Sequence, residues 1–437
     1  MGALVTTSFK HHQAEQFVEG FSEPASSNIY VFIARTDAWE NNLDSTGTVA
    51  TETDNAALDF RLYDRMIAMK RVLSTDVAYV IPRYNWTSGT IYSQYDHTLS
   101  NIFNNQFYVI DPSNYNVYKC LFNNSGTASN TKPTGTSTSV ITTADGYKWK
   151  YMYTVPAAKL SRFLTSDFMY VETEINDVSN AAVDGAINVA IVTNSGTGYN
   201  TAPTITITGD GVGASANATL NGNIVSAINM VNVGSGYRYA NITISGGGGS
   251  NAVARAIISP KGGHGSNARI ELGGYYVMIN ARLENEEGGI FPIDNDFRIS
   301  GLVKDPQLYG TSTVAGGSAY KLTKNLYLSN VAGTYVLDEY VIGSNSKANA
   351  VITSISADAG NSKANIRYFQ AENKTANANV FAVGDIVTGA GGAVGTLVSI
   401  TNQEIQPDSG QIIYVDTFRP IQRAIDQTES LYLVIEF

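Results

Sequence analysis

A histidine set among glycines, Gly262-Gly263-His264-Gly265-Ser266, is the stretch whose residue types most invite chemistry. An imidazole on such a loop serves as general base or metal ligand when partners stand beside it. The chain supplies few: His11, His12 and His97 are the other histidines, Cys120 is the single cysteine, and no His-Glu-x-x-His pattern occurs. The glycines more simply make a tight turn. The pair His11-His12 falls in a helix expected over residues 8–22, beside Gln13 and Glu15, and reads as solvated. Carboxylates gather at 284–289 (ENEEGG) and at Asp294-Asn295-Asp296, but without the ligand spacing of a calcium loop, so solvated turns are expected. The runs at 209–213 (GDGVG) and 246–250 (GGGGS) lack the lysine and following helix of a phosphate loop. No catalytic residue, metal ligand or cofactor is expected, and the chain does not read as an enzyme.

Aromatic rings are the remaining candidates. In 146–155 (GYKWKYMYTV), Tyr147, Trp149, Tyr151 and Tyr153 occupy every second position. Side chains alternate faces in a strand, so one face would carry four rings and the other Lys148 and Lys150. Tyr84 and Trp86 likewise share a face if 78–86 is a strand, and Tyr92 sits in an expected strand over 89–95. Such rings suit a stacking platform for a sugar. They equally suit a core or subunit contact, where each removes roughly 150–250 Å² from water. Apolar neighbours (Met152, Val155, Phe163, Phe168) favour the second use. The rings are therefore expected to face inward or toward a partner, with the lysines solvated or opposite acidic groups.

These residues must be held by strands. The 437-residue length suggests about three domains. Forty glycines and 26 tyrosines fit many strands joined by tight turns. A net charge of −10 argues against a nucleic-acid-binding body. One cysteine allows no intrachain disulfide, and no run of about 18 apolar residues predicts membrane insertion. The first residues lack the pattern of a signal peptide.

Strands are expected at 28–35, 78–86, 89–95, 107–112, 117–124 and 146–155, with short helices at 8–22 and 157–168. A polar loop is expected over about 37–55 and another at 123–139. Residues 57–73 carry Leu58, Leu62, Met66, Met69 and Leu73 at helical spacing, which predicts a helix. Two internal repeats stand out. Residues 194–211 are echoed by 232–249, with Tyr199 and Tyr237 38 positions apart, and 338–356 by 384–401, with Gly343 and Gly389 46 apart. Each unit of the first reads as a Gly-x-Gly-Tyr turn followed by an alternating strand, and each unit of the second as strand, glycine turn, strand. The expected fold is mainly β with a few helices, an α+β chain of several domains with β-sandwich-like layers and small inserted β modules. Its parts are a core at 1–183, a β-repeat module at 184–259, core again at 260–315, a hairpin-rich module at 316–405 and core strands at 406–437.

The blocks 28–41 (NIYVFIARTDAWEN), 66–72 (MIAMKRV), 80–96 (VIPRYNWTSGTIYSQYD), 107–124 (FYVID…VYKCLFNN), 145–155 (DGYKWKYMYTV), 261–280 (KGGHGSNARIELGGYYVMIN) and 418–437 (FRPIQRAIDQTE…IEF) together resemble the baseplate wedge protein of contractile-tailed phages of the T-even type, the product called gene product eight. The resemblance runs from about residue 28 to 175, then 260 to 310, then 410 to 437, together over half of the chain; the repeats at 184–259 and around 316–405 depart from the shorter family members. The resemblance implies a β-rich structural subunit of the virion's tail baseplate, assembled in the host cytoplasm. It further implies a homodimer that docks to other wedge subunits and carries no catalytic residues. The competing reading is a carbohydrate-binding adhesin or receptor-binding tail protein.

Overall fold

The computed structural model describes residues 4–22, 27–34, 62–63, 65–283, 296–337, 339–357, 364–369, 380–422 and 428–437. The acidic stretch at 284–289, Asp294-Asn295 and the loop expected at 37–55 lie outside them. Alternating or wholly apolar runs bounded by Gly, Asn and Ser become strands, and the protein is mainly β with a few short helices. The chain divides into two units, one of Met1–Gln16, Ala78–Met278 and Val434–Phe437, the other of Phe17–Val77 and Ile279–Leu433.

In the first unit, Tyr108–Ile110, Asn116–Phe122, Lys148–Thr154 and Ile141–Thr142 form an antiparallel sheet in that spatial order. Both its faces are covered. Val117, Leu121 and Met152 look into the larger core, with Phe107, Phe163, Met169 and Leu272. Tyr118, Cys120, Tyr147 and Trp149 look into a second cluster with Tyr92 and Val109.

The expected strict alternation of rings fails at one point. Tyr118 opposes Tyr151 and Val117 opposes Tyr153, so Met152 is an extra residue in its strand. Such a bulge turns the next residues to the other face. Tyr147, Trp149 and Tyr151 pack on one side, whereas Tyr153 enters the larger core beside Met152. The strand expected at 78–86 is Val77–Pro82, and 89–95 is no strand. There Gly89 takes a φ of 84°, Thr90 makes an isolated bridge to Ser129, and the buried rings Tyr92 and Tyr95 stand three apart. The short helix expected at 157–168 is Ala157–Phe163.

The first repeat closes into a six-stranded barrel of Ile187–Thr197, Thr204–Gly209, Val212–Asn221, Ile224–Ser235, Ala240–Ser245 and Ser250–Ile258. Its two halves exchange contacts. A Cβ on Gly249 would stand 2.4 Å from the Tyr199 ring, and one on Gly211 the same distance from Tyr237. Each tyrosine thus lies on the glycine of the other copy. Only glycine permits that approach, which explains why tyrosine and glycine recur at one spacing. Val189 and Ile257 of this barrel belong to the larger core.

In the second unit, Ala319–Lys321, Met66–Arg71, Ile29–Ala34, Asp296–Lys304 and Gln411–Gln422 form a five-stranded sheet in that order. This corrects the helix expected over 57–73. Of that range, Leu62, Tyr63 and Arg65 are helical, but Met66–Arg71 is a strand hydrogen-bonded on both edges. Met66, Ile67, Ala68 and Met69 are all buried. A strand covered on both faces is apolar throughout, and in such a run helical spacing arises without a helix.

The second repeat forms another six-stranded barrel, Lys324–Ala332, Tyr340–Gly343, Asn349–Ala357, Ala364–Phe369, Ile386–Gly389 and Val394–Thr401. Here too the halves are reciprocal. Glu339 accepts from the amides of Val336 (2.8 Å) and Gly391 (2.9 Å). Asp385, 46 positions on, accepts from Ala382 (2.9 Å) and Asn345 (2.9 Å). Each carboxylate ties down its own strand entry and the hairpin turn of the other copy.

Candidate functional site

Lys119 and Lys150 are direct cross-strand partners on the face that looks into the larger core. Like charges placed so repel, and both are buried. The structure answers with a carboxylate. Lys119 Nζ donates to Glu271 Oε2 at 2.8 Å and to His264 Nδ1 at 3.1 Å, and lies 4.0 Å from the centre of the Tyr95 ring. Tyr95 meets His264 edge to face at 4.8 Å. Glu271 Oε1 accepts from the amides of Gly265 (2.7 Å) and Asn267 (3.3 Å).

Local sequence places each member. The Gly262–Gly265 turn uses φ of 86°, 98° and 91° at its three glycines, which lets it fold over the sheet. Its closeness is also steric, since a Cβ on Gly265 would stand 2.5 Å from Val178. Asn267 caps the one-turn helix Ala268–Glu271 through its side chain, which accepts from Ile270 N at 3.0 Å. That turn brings Glu271 back under the loop.

Burial alone would raise the Glu271 carboxyl. The Lys119 ammonium overrides it and holds the group down at about 2. Burial, reinforced by Lys119, pulls His264 down to about 4. The ring is therefore neutral at pH 7. Because an ammonium only donates, Nδ1 is the acceptor and the proton sits on Nε2. Glu271 spends both oxygens on three donors. The arrangement is a clamp that binds the glycine turn and its short helix to the central sheet.

Only His264 of this cluster stood out in the sequence, and no partner could be assigned to it. Lys119 hides within an ordinary strand pattern, and Glu271 follows 152 positions later. A lysine at an inward position of a strand was the available signal. Lys150, expected to be solvated or opposite an acidic group, is buried and donates to the Thr138 carbonyl. His11, expected to be solvated, is buried in the helix Thr7–Glu19, edge-on to Tyr275 at 5.6 Å. His12 is exposed.

The ring candidates divide. Tyr92, Tyr147, Trp149 and Tyr153 are buried, and Tyr84, Trp86 and Tyr151 half-buried. Tyr147 stacks on Trp149 at 5.5 Å and 16°, and Tyr92 meets Trp149 edge-on at 5.7 Å. Trp86 Nε1 donates to Ser129 Oγ at 3.2 Å. Tyr84 and Trp86 do not share a face: the strand ends at Pro82, and Tyr84 packs on the larger core while Trp86 packs on the ring cluster.

Protonation of His264 gives a pH signature. Its folded pKa lies below the usual 6.5, so the unfolded chain binds the proton more readily. Its contribution is fully present above pH 6.5 and is lost as pH falls toward 4. His11, lowered by burial and then by Arg269 to about 4, acts in the same direction. Thermal unfolding followed across pH 4–8 should show Tm falling below pH 6.5. His264→Gln should flatten that fall and leave the part due to His11; an unchanged slope in the variant would contradict the assignment.

Compared with known proteins, the chain matches no protein-family model, and no curated protein matches it in sequence.

Proposed function

We propose that the protein is a structural subunit of a contractile-tail baseplate wedge of the T-even type, working as a homodimer that docks to other wedge subunits in the virion. The reading rests on the resemblance of seven sequence blocks to that family. The burial of Tyr92, Tyr147, Trp149 and Tyr153 supports it from the structural side, since rings committed to packing serve a rigid scaffold. In this reading the sheets and barrels are sandwich-like layers on a family core, with the two repeats as its elaborations. The chain has no reaction to perform. Its work is to hold persistent contacts, which in stable assemblies bury more than about 2,000 Å² and are rich in aromatic residues. Polar loops such as 123–139 make the contacts that are exchanged when a baseplate changes shape.

Light scattering of the purified chain at micromolar concentration should give twice the monomer mass, and co-expression with the neighbouring wedge subunits should yield a stable complex. A monomer that joins no such subunit would overturn the proposal. The adhesin reading draws on one feature, a cavity of about 390 Å³ lined by Tyr151, Glu172, Asn176 and Asp177. A ring beside carboxylates and an amide is the chemistry that holds a sugar. Glycan-array binding lost on Tyr151→Ala would favour that reading.

A further inference from the structure

Beyond the clamp lies a second cavity in the same unit, of about 470 Å³, whose wall includes Lys148, Lys150, His264, Thr142, Asn188 and Asn229. In a chain of net charge −10, no carboxylate among the described residues lines it. Glu271, which stands behind His264, is committed to Lys119 and two amides. Lys150 gives one hydrogen bond, to the Thr138 carbonyl, out of the three an ammonium can make. Lys148 is half-buried and has no hydrogen-bond partner among the described residues; its ammonium lies 6.0 Å from the centre of the Phe122 ring. A cation taken partly out of water without a partner is costly. Lys148 is such a cation, and Lys150 beside it on the wall keeps two donor positions open, so together they call for an anion.

We propose that this cavity receives a glutamate side chain from an acidic segment of a protein partner. Lys148 and Lys150 bind the carboxylate, Asn188 or Asn229 and Thr142 offer further donors, and His264 adds the Nε2–H left to it by the Lys119 contact. The remaining wall carries Ala182, Ala186, Met230 and Val233. That apolar part suits the methylene stem of glutamate and has no counterpart in free phosphate. Lysines set as point charges, without an arginine fork, also suit a single carboxylate. The site does not depend on the wedge reading, because it rests on the cavity alone.

The test uses the full chain with carbon-13-labelled alanine methyls, since Ala181, Ala182 and Ala186 line the cavity. The probe is an acetylated, amidated tetraglutamate peptide, with tetraglutamine and inorganic phosphate run beside it. The glutamate peptide should shift those three methyls to saturation and tetraglutamine should not. Lys148→Met should weaken the titration about tenfold, the loss expected for one charge-assisted hydrogen bond. Unchanged methyls elsewhere, such as Ala348 in the other unit, certify the fold, and Lys148→Gln repeats the measurement if the Met variant is unstable. Absence of shifts, equal shifts with tetraglutamine, or an unaltered affinity in both variants would overturn the site. Saturation by phosphate below the peptide concentration would overturn the glutamate assignment.

Discussion

Glu271→Gln is expected to remove about 3–5 kcal/mol of stability, the usual consequence of stranding one member of a buried ion pair. Lys119 would keep its charge at full burial and lose the carboxylate that compensates it. Lys119→Met should do comparable harm for the opposite reason, leaving a buried carboxylate with only amides. The informative variant is the double one. With Lys119→Met and Glu271→Gln together, no charge of the pair is stranded, and the glutamine oxygen can still accept from Gly265 and Asn267. The double variant should recover most of the loss, because buried pairs compare poorly with well-packed neutral side chains of similar volume. Urea unfolding read by tryptophan fluorescence would report on the unit that contains the clamp through Trp86 and Trp149, with Trp39 replaced by phenylalanine to silence the other unit. Losses under about 1 kcal/mol in both single variants, or simple additivity in the double, would show that the cluster is not a coupled clamp.

The second large effect is expected at Trp149. Its side chain is fully buried, stacked on Tyr147 and flanked by Tyr92. Trp149→Ala should cost about 3–5 kcal/mol through lost contact and the cavity left behind. Trp149→Phe should cost less, because it keeps an aromatic ring in place and leaves a smaller cavity. The indole Nε1–H is buried without an acceptor among the described residues, and phenylalanine removes that donor along with part of the ring. Denaturation midpoints of the two variants measure the contrast. If Trp149→Ala left stability intact, the ring would not be a packing anchor. The result also bears on function. A ring whose loss unfolds the sheet cannot be read as a sugar platform from loss of binding alone, so glycan experiments belong at Tyr151, beside an open cavity.

The clamp and the glutamate cavity share one sheet face and one loop. Lys119 is satisfied inside the protein, whereas Lys148 and two protons of Lys150 find no hydrogen-bond acceptor among the described residues. The internal pair holds the glycine turn, and the turn then presents His264 to the cavity wall.

The amino-acid order by itself determined the features that are local or periodic. Strands at 29–34, 108–110, 116–122 and 148–154 follow from β-branched and aromatic runs, and the repeats from self-similarity at 38 and 46 positions. The turn at 262–265 follows from its glycines. Tertiary structure decided the rest. Met66–Arg71 became a strand because it lies between two others, and neither neighbour is visible within the segment. Tyr153 left its companions because the pairing of Tyr151 with Tyr118 and of Tyr153 with Val117 forced Met152 into a bulge. His264 gained Lys119 and Glu271 only when strand, turn and one-turn helix met. Backbone propensity and periodicity are read over a few residues. Strand neighbours, bulges and buried charge pairs arise from contacts between residues far apart in the chain, where local pattern carries no signal.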